Sequence, residues 1–253
     1  MKITKAIFIK QFRSLIKNPI MIIQAVFYLA LIIIITFLAN DNRGNEDCIS
    51  CIPAYVCEQC LIDNAPPDTP TPSLAGLFAV MFVGLSLVGF SSSLVYEDKT
   101  TQNLRFMSMA GVKPKQYLIG TALSLLIISF LILILFAIVG WYVDSRILWF
   151  LSVGTFGIIV SILLGITIGM SKYPVLATPL SMVLGLGPML SSFNENLAHM
   201  LRFTYTQQIN IVFSDIREGL TTDLTNNFLI IAANGLVVLL LFIWVNRKGS
   251  LTS

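Results

Sequence analysis

The chain has four cysteines, Cys48, Cys51, Cys57 and Cys60, and all of them fall in one short segment as C-x2-C-x5-C-x2-C. Paired C-x-x-C units can ligate zinc as thiolates, but the gap between these pairs is short beside the ~12–20 residues usual in such sites. In an oxidising compartment the same thiols form two disulfides, which is the favoured reading, with metal and free thiols as alternatives. The connectivity stays open. The single histidine, His199, reads as a surface or interface residue rather than a catalyst. No G-x-x-x-x-G-K-[ST] phosphate loop is present, and no soluble segment is large enough to hold one. The chain is therefore expected to be no enzyme and to bind no cofactor of its own.

A second pattern lies at 96–120, YEDKTTQNLRFMSMAGVKPKQYLIG. Glu97 and Asp98 open a helix-compatible segment over 96–115, where acids suit the positive end of the dipole and Asp98 is a candidate cap. Leu104, Phe106, Met107 and Met109 stand alongside Arg105, and Gly111 stops the helix ahead of Pro114. A Met-rich, partly apolar helix set between two long apolar runs suits a groove on a soluble partner. A plain connector is the bland alternative.

The elements that must hold this segment follow from composition. The chain has 253 residues, 56% hydrophobic and 11% charged, against about 25% charged in soluble domains. It reads as an all-α, polytopic membrane protein. Residues 1–19 form an amphipathic interfacial helix, with Phe8, Phe12 and Leu15 opposite Lys2, Lys10 and Arg13. Six spans are expected near 20–39, 74–95, 116–142, 147–171, 175–193 and 227–245, each long enough for a core of about 30 Å. The first is too long for a signal peptide. The fifth is interrupted by Pro179, Gly185, Gly187 and Pro188. Twelve of the sixteen Lys and Arg residues fall on the side that holds the N-terminus, and only Arg43, Arg146, Arg202 and Arg217 on the other. The bias puts both termini in the cytoplasm, the cysteine loop (40–73) and an amphipathic segment (194–226) outside, and the 96–115 helix inside. No Asp, Glu, Lys, Arg or His falls within the six expected spans, which argues against an ion-coupled transporter and an intramembrane hydrolase. Nothing in the charge distribution implies nucleic acid.

The order of these elements resembles the permease subunits of ABC-2 type ATP-binding-cassette exporters. In that family a basic amphipathic helix precedes six spans, and a coupling helix with an acidic start joins spans two and three. Here Glu97-Asp98-Lys99, Leu104, Met107, Gly111-Val112 and Tyr117-Leu118-Ile119-Gly120 stand in those places. The tight turn around Asp144–Arg146 and the outside segment before span six match as well. The chain departs at Thr100-Thr101, where the family often has Gly-Thr, and at Phe203–Thr206, where it has a proline-rich turn. The resemblance implies a second permease copy or a sister permease, and an ATP-binding subunit that holds ATP and Mg. It places that subunit's contact on Glu97, Asp98, Lys99, Leu104, Arg105, Met107 and Gly111. Small residues at Gly76, Gly84, Gly89, Ser91–Ser93, Gly185 and Gly187 would allow close helix contact or line a path. The outer segment would cap the exit.

Uncharged spans and an amphipathic cap favour a hydrophobic or amphipathic cargo, whether peptide, drug or lipid, with self-protection against membrane-active peptides as the leading role. A non-transporting anchor or sensor that recruits a partner through 97–113 is the alternative. A lipid-modifying enzyme would need a charged or histidine-containing cluster that the sequence lacks.

Overall fold

The computed structural model describes residues 7–13, 20–43, 74–109, 111–112, 114–140, 145–171, 173–191, 195–218 and 224–247. Cys48, Cys51, Cys57 and Cys60 lie outside them. All the elements in the described residues are helical. In chain order they are α1 (7–13), α2 (Ile20–Arg43), α3 (Leu74–Met81), a π-helical turn (Phe82–Leu87), α4 (Val88–Thr100), α5 (Asn103–Met109), α6 (Pro114–Val139), α7 (Ser145–Met170), a 3-10 turn (Pro174–Leu176), α8 (Ala177–Ser191), α9 (Glu195–Leu201), α10 (Tyr205–Glu218) and α11 (Leu224–Arg247).

Among the described residues, five segments are long and apolar enough to cross a membrane: Ala75–Thr100, Gln116–Val139, Arg146–Met170, Pro174–Ser191 and Asn227–Val245. The expected first span is the helix α2, of which 22–34 forms a shorter apolar stretch. Helix α2 also runs to Arg43, past the expected end of the span at 39.

The segment α3–π–α4 is the most enclosed, packed by α2, α6, α7 and α8. Phe82 and Phe136 meet in its core with ring centroids 5.9 Å apart. Small residues set how closely helices approach. On α7, Gly165 and Gly169 lie one turn apart against α4. An ideal Cβ at Gly165 would lie 2.7 Å from the Val88 carbonyl oxygen, and one at Gly169 would lie 2.6 Å from that of Ser92. At the π turn, a Cβ on Gly84 would lie 2.6 Å from the Leu184 carbonyl oxygen, and one on Gly185 would lie 2.4 Å from Leu85 Cβ. The α8 helix crosses there with its backbone almost touching. It stays helical through Pro188, so the expected interruption is absent. The bulge sits instead in the neighbouring segment, at Phe82–Leu87.

Helices α9 and α10, joined by a turn at 202–204, lie against the bundle, α9 on α8 and α10 on α3, α7, α8 and α11. Leu201 packs on Gly187 of α8, and Ile209 fills the space a Cβ would take at Gly157, midway along α7. The Tyr205 hydroxyl pairs with Ser161 Oγ at 2.8 Å, and Phe150 stacks on Phe213. A turn beside the middle of apolar helices needs partners for its carbonyls. Asn234 Nδ2 of α11 donates to the Phe203 carbonyl (2.9 Å), Gln208 Nε2 to that of Arg202, and Thr204 to that of Leu201.

Candidate coupling site

The 96–120 segment folds differently from its expected single helix. Glu97, Asp98 and Lys99 belong to the last turns of α4, which runs on to Thr100. Asp98 is therefore no N-cap, a correction with a local cause. The Glu97 carbonyl accepts from Thr101 N–H (2.9 Å), Thr100 Oγ1 (3.0 Å) and Thr101 Oγ1 (2.8 Å), so the threonine pair closes the long helix. Gln102 follows at φ +57°. Its carbonyl accepts from Phe106 N–H at 3.1 Å and starts α5. The short helix is thus Asn103–Met109. It ends at Gly111, φ +78°, with Val112 N–H donating to the Met107 carbonyl at 3.0 Å, a Schellman close.

Freed from capping, Asp98 becomes a junction of three elements. Its carboxylate accepts from Tyr117 OH of α6 (2.5 Å), Gln11 Nε2 of α1 (3.1 Å) and Asn103 Nδ2 of α5 (3.2 Å). Gln11 and Tyr117 are buried, and Asp98 is half-buried. Charge-assisted bonds of this kind are roughly twice as strong as neutral ones. Ile7 of α1 packs where a Cβ on Gly120 would intrude, at 2.9 Å. The N-terminal helix, the end of the second apolar segment and the start of the third are therefore tied at one carboxylate.

The residues expected to face a partner divide between two sides. Leu104 and Met107 pack against the protein's own core, and Lys99 is half-buried. Glu97, Arg105 and Gly111 are exposed. So are Phe106 (61%) and Met109 (68%), which form the apolar surface that α5 leaves uncovered. Among the described residues no cluster of His, Cys, Asp and Glu is arranged to hold a metal.

The model of the ABC-2 type transporter membrane family matches residues 3–215, spanning every element from α1 through most of α10. The chain belongs to the ABC-2 type transporter family. No curated protein and no solved structure matches it significantly. As an ABC-2 protein the chain is a multi-pass membrane permease component of an ABC transporter, not itself the ATPase, and such permeases normally work with an ABC ATP-binding subunit. Sequence reasoning singled out Asp98 but gave it a capping role. Gln11 and Asn103, which complete its shell, carry no pattern of their own. Gly165-x3-Gly169 was visible in the sequence as a small-residue spacing.

Proposed function

We propose that this ABC-2 permease works as an ATP-driven exporter of a hydrophobic or amphipathic substrate. It has six spans, cytoplasmic termini, and a homodimeric or sister-permease interface. The observation that carries the coupling half of this reading is the exposed pair Phe106 and Met109 on α5. This helix is held through Asn103 to the Asp98 junction, and through it to α4, α6 and α1. A groove on the ATP-binding subunit that grips this surface differently in its nucleotide states would move those three elements together. Glu97 and Arg105 supply charge at the rim of the surface. Leu104 and Met107 transmit from its inner side.

The test is co-purification of the tagged chain with native partners, followed by ATP hydrolysis. A cassette ATPase should accompany the wild type and be lost from Phe106→Asp. Retention of the ATPase by that variant would overturn the assignment of this surface.

A further inference from the structure

Sequence order puts Arg202 in the outside amphipathic segment, and it stands in the turn between α9 and α10. Two contacts place the segment: one at Phe203, beside Arg202, and one at Ile209, seven residues further along α10. Asn234, which holds the Phe203 carbonyl, lies about 10 Å along the Asn227–Val245 segment from its first residue. Gly157, against which Ile209 packs, lies about 16 Å along the Arg146–Met170 segment. Both points lie inside a hydrocarbon core about 30 Å thick, the nearer one about 10 Å from the end of its segment.

The Arg202 side chain is exposed, and its two exposed neighbours are apolar, Met200 at 79% and Phe203 at 73%. No acidic residue lies mid-way along any of the five apolar segments. The only acids within them are Glu97 and Asp98, at the far end of Ala75–Thr100. The acids of α9 and α10 themselves, Glu195, Asp215 and Glu218, stand at least seven residues from Arg202 along the chain; a cation inside the apolar layer marks a path or a ligand contact.

We propose that Arg202, Met200 and Phe203 form a substrate contact that reads an acidic amphiphile. The guanidinium takes the anionic oxygens of the headgroup, and the two apolar side chains take the adjoining hydrocarbon. This rests on the exporter reading above and narrows its cargo from amphipathic to acidic.

The test is binding without any ATPase, so that its outcome is separate from the coupling assignment. The full-length chain in a neutral maltoside micelle is titrated with dodecyl phosphate, with dodecylphosphocholine and with inorganic phosphate. Wild type should prefer dodecyl phosphate over dodecylphosphocholine by about tenfold. Arg202→Gln should equalise the two, Arg202→Lys should retain most of the preference, and inorganic phosphate should not compete. An unchanged preference in Arg202→Gln would assign it to the basic residues near the N-terminus and overturn the site. Absence of any preference in wild type would do the same. Competition by inorganic phosphate as effective as by dodecyl phosphate would reduce it to a simple ion contact. Thermal unfolding of both variants at the wild-type temperature shows that the fold is kept. If Arg202→Gln unfolds early, Arg202→Lys against Arg202→Met gives the same comparison.

Discussion

Tyr117 donates its hydroxyl to the Asp98 carboxylate at 2.5 Å, joining the end of one apolar segment to the start of the next. Tyr117→Phe keeps the ring and leaves Asp98 with Gln11 and Asn103. The expected cost is about 1.5–3 kcal/mol, that of a hydrogen bond to a charged group, read as a lower unfolding temperature in detergent. Transport per ATP hydrolysed should fall while the partner ATPase still binds. An unchanged ratio would show that the junction is only structural.

Phe106 and Leu104 sit on opposite sides of α5 and should separate partner binding from stability. Phe106→Asp removes an exposed side chain and should change stability by no more than about 0.5 kcal/mol, while abolishing ATPase capture. Leu104→Asp buries a carboxylate against the core and should cost about 1–3 kcal/mol. Thermal melts beside pull-downs distinguish the two.

Gly165 and Gly89 predict opposite outcomes for the same change. A Cβ at Gly165 would lie 1.8 Å from Ser91 Oγ and 2.7 Å from a backbone oxygen. Ser91 Oγ is itself bonded to the Leu87 carbonyl. Gly165→Ala should cost about 1–3 kcal/mol, with reduced yield of folded protein. At Gly89 the nearest atom would be Ser181 Oγ at 3.8 Å, so Gly89→Ala should be neutral or gain up to about 1 kcal/mol from helix propensity. Equal melting temperatures for the two variants would contradict this packing.

Gln102 holds a left-handed conformation between α4 and α5, which L-residues adopt at a cost of about 1–2 kcal/mol. Gln102→Gly removes that cost and loosens the unfolded chain. The net expectation is a gain of about 0.5–1 kcal/mol, seen as a higher unfolding temperature.

Much of this architecture was legible because a membrane simplifies the reading. Long uncharged runs mark the segments, and Gly111 before Pro114 marked where α5 stops. Asp98 was harder to read. An acid after an apolar run looks like the start of a new helix, and only the three bonds from Thr100 and Thr101 to the Glu97 carbonyl show that the old helix is still ending. Leu104 and Phe106 are both apolar neighbours on a short helix, and sequence offers no way to say which one faces inward. Arg202 was legible as part of an amphipathic outer segment of short helices, but the bonds that Asn234 and Gln208 make to the carbonyls of its turn carry no pattern of their own.

The π turn at Phe82–Leu87 carries one residue more than an α-helix of the same height. Measured as contour length, the α3–π–α4 segment therefore has slack, held where Gly84 and Gly185 bring two backbones together. Taking one residue out of that turn would convert it to α-helix while leaving the faces of α3 and α4 aimed as before. A deletion in α7 ahead of Gly165 has no such reserve: it would rotate every later side chain by about 100° and turn Gly165 and Gly169 away from α4.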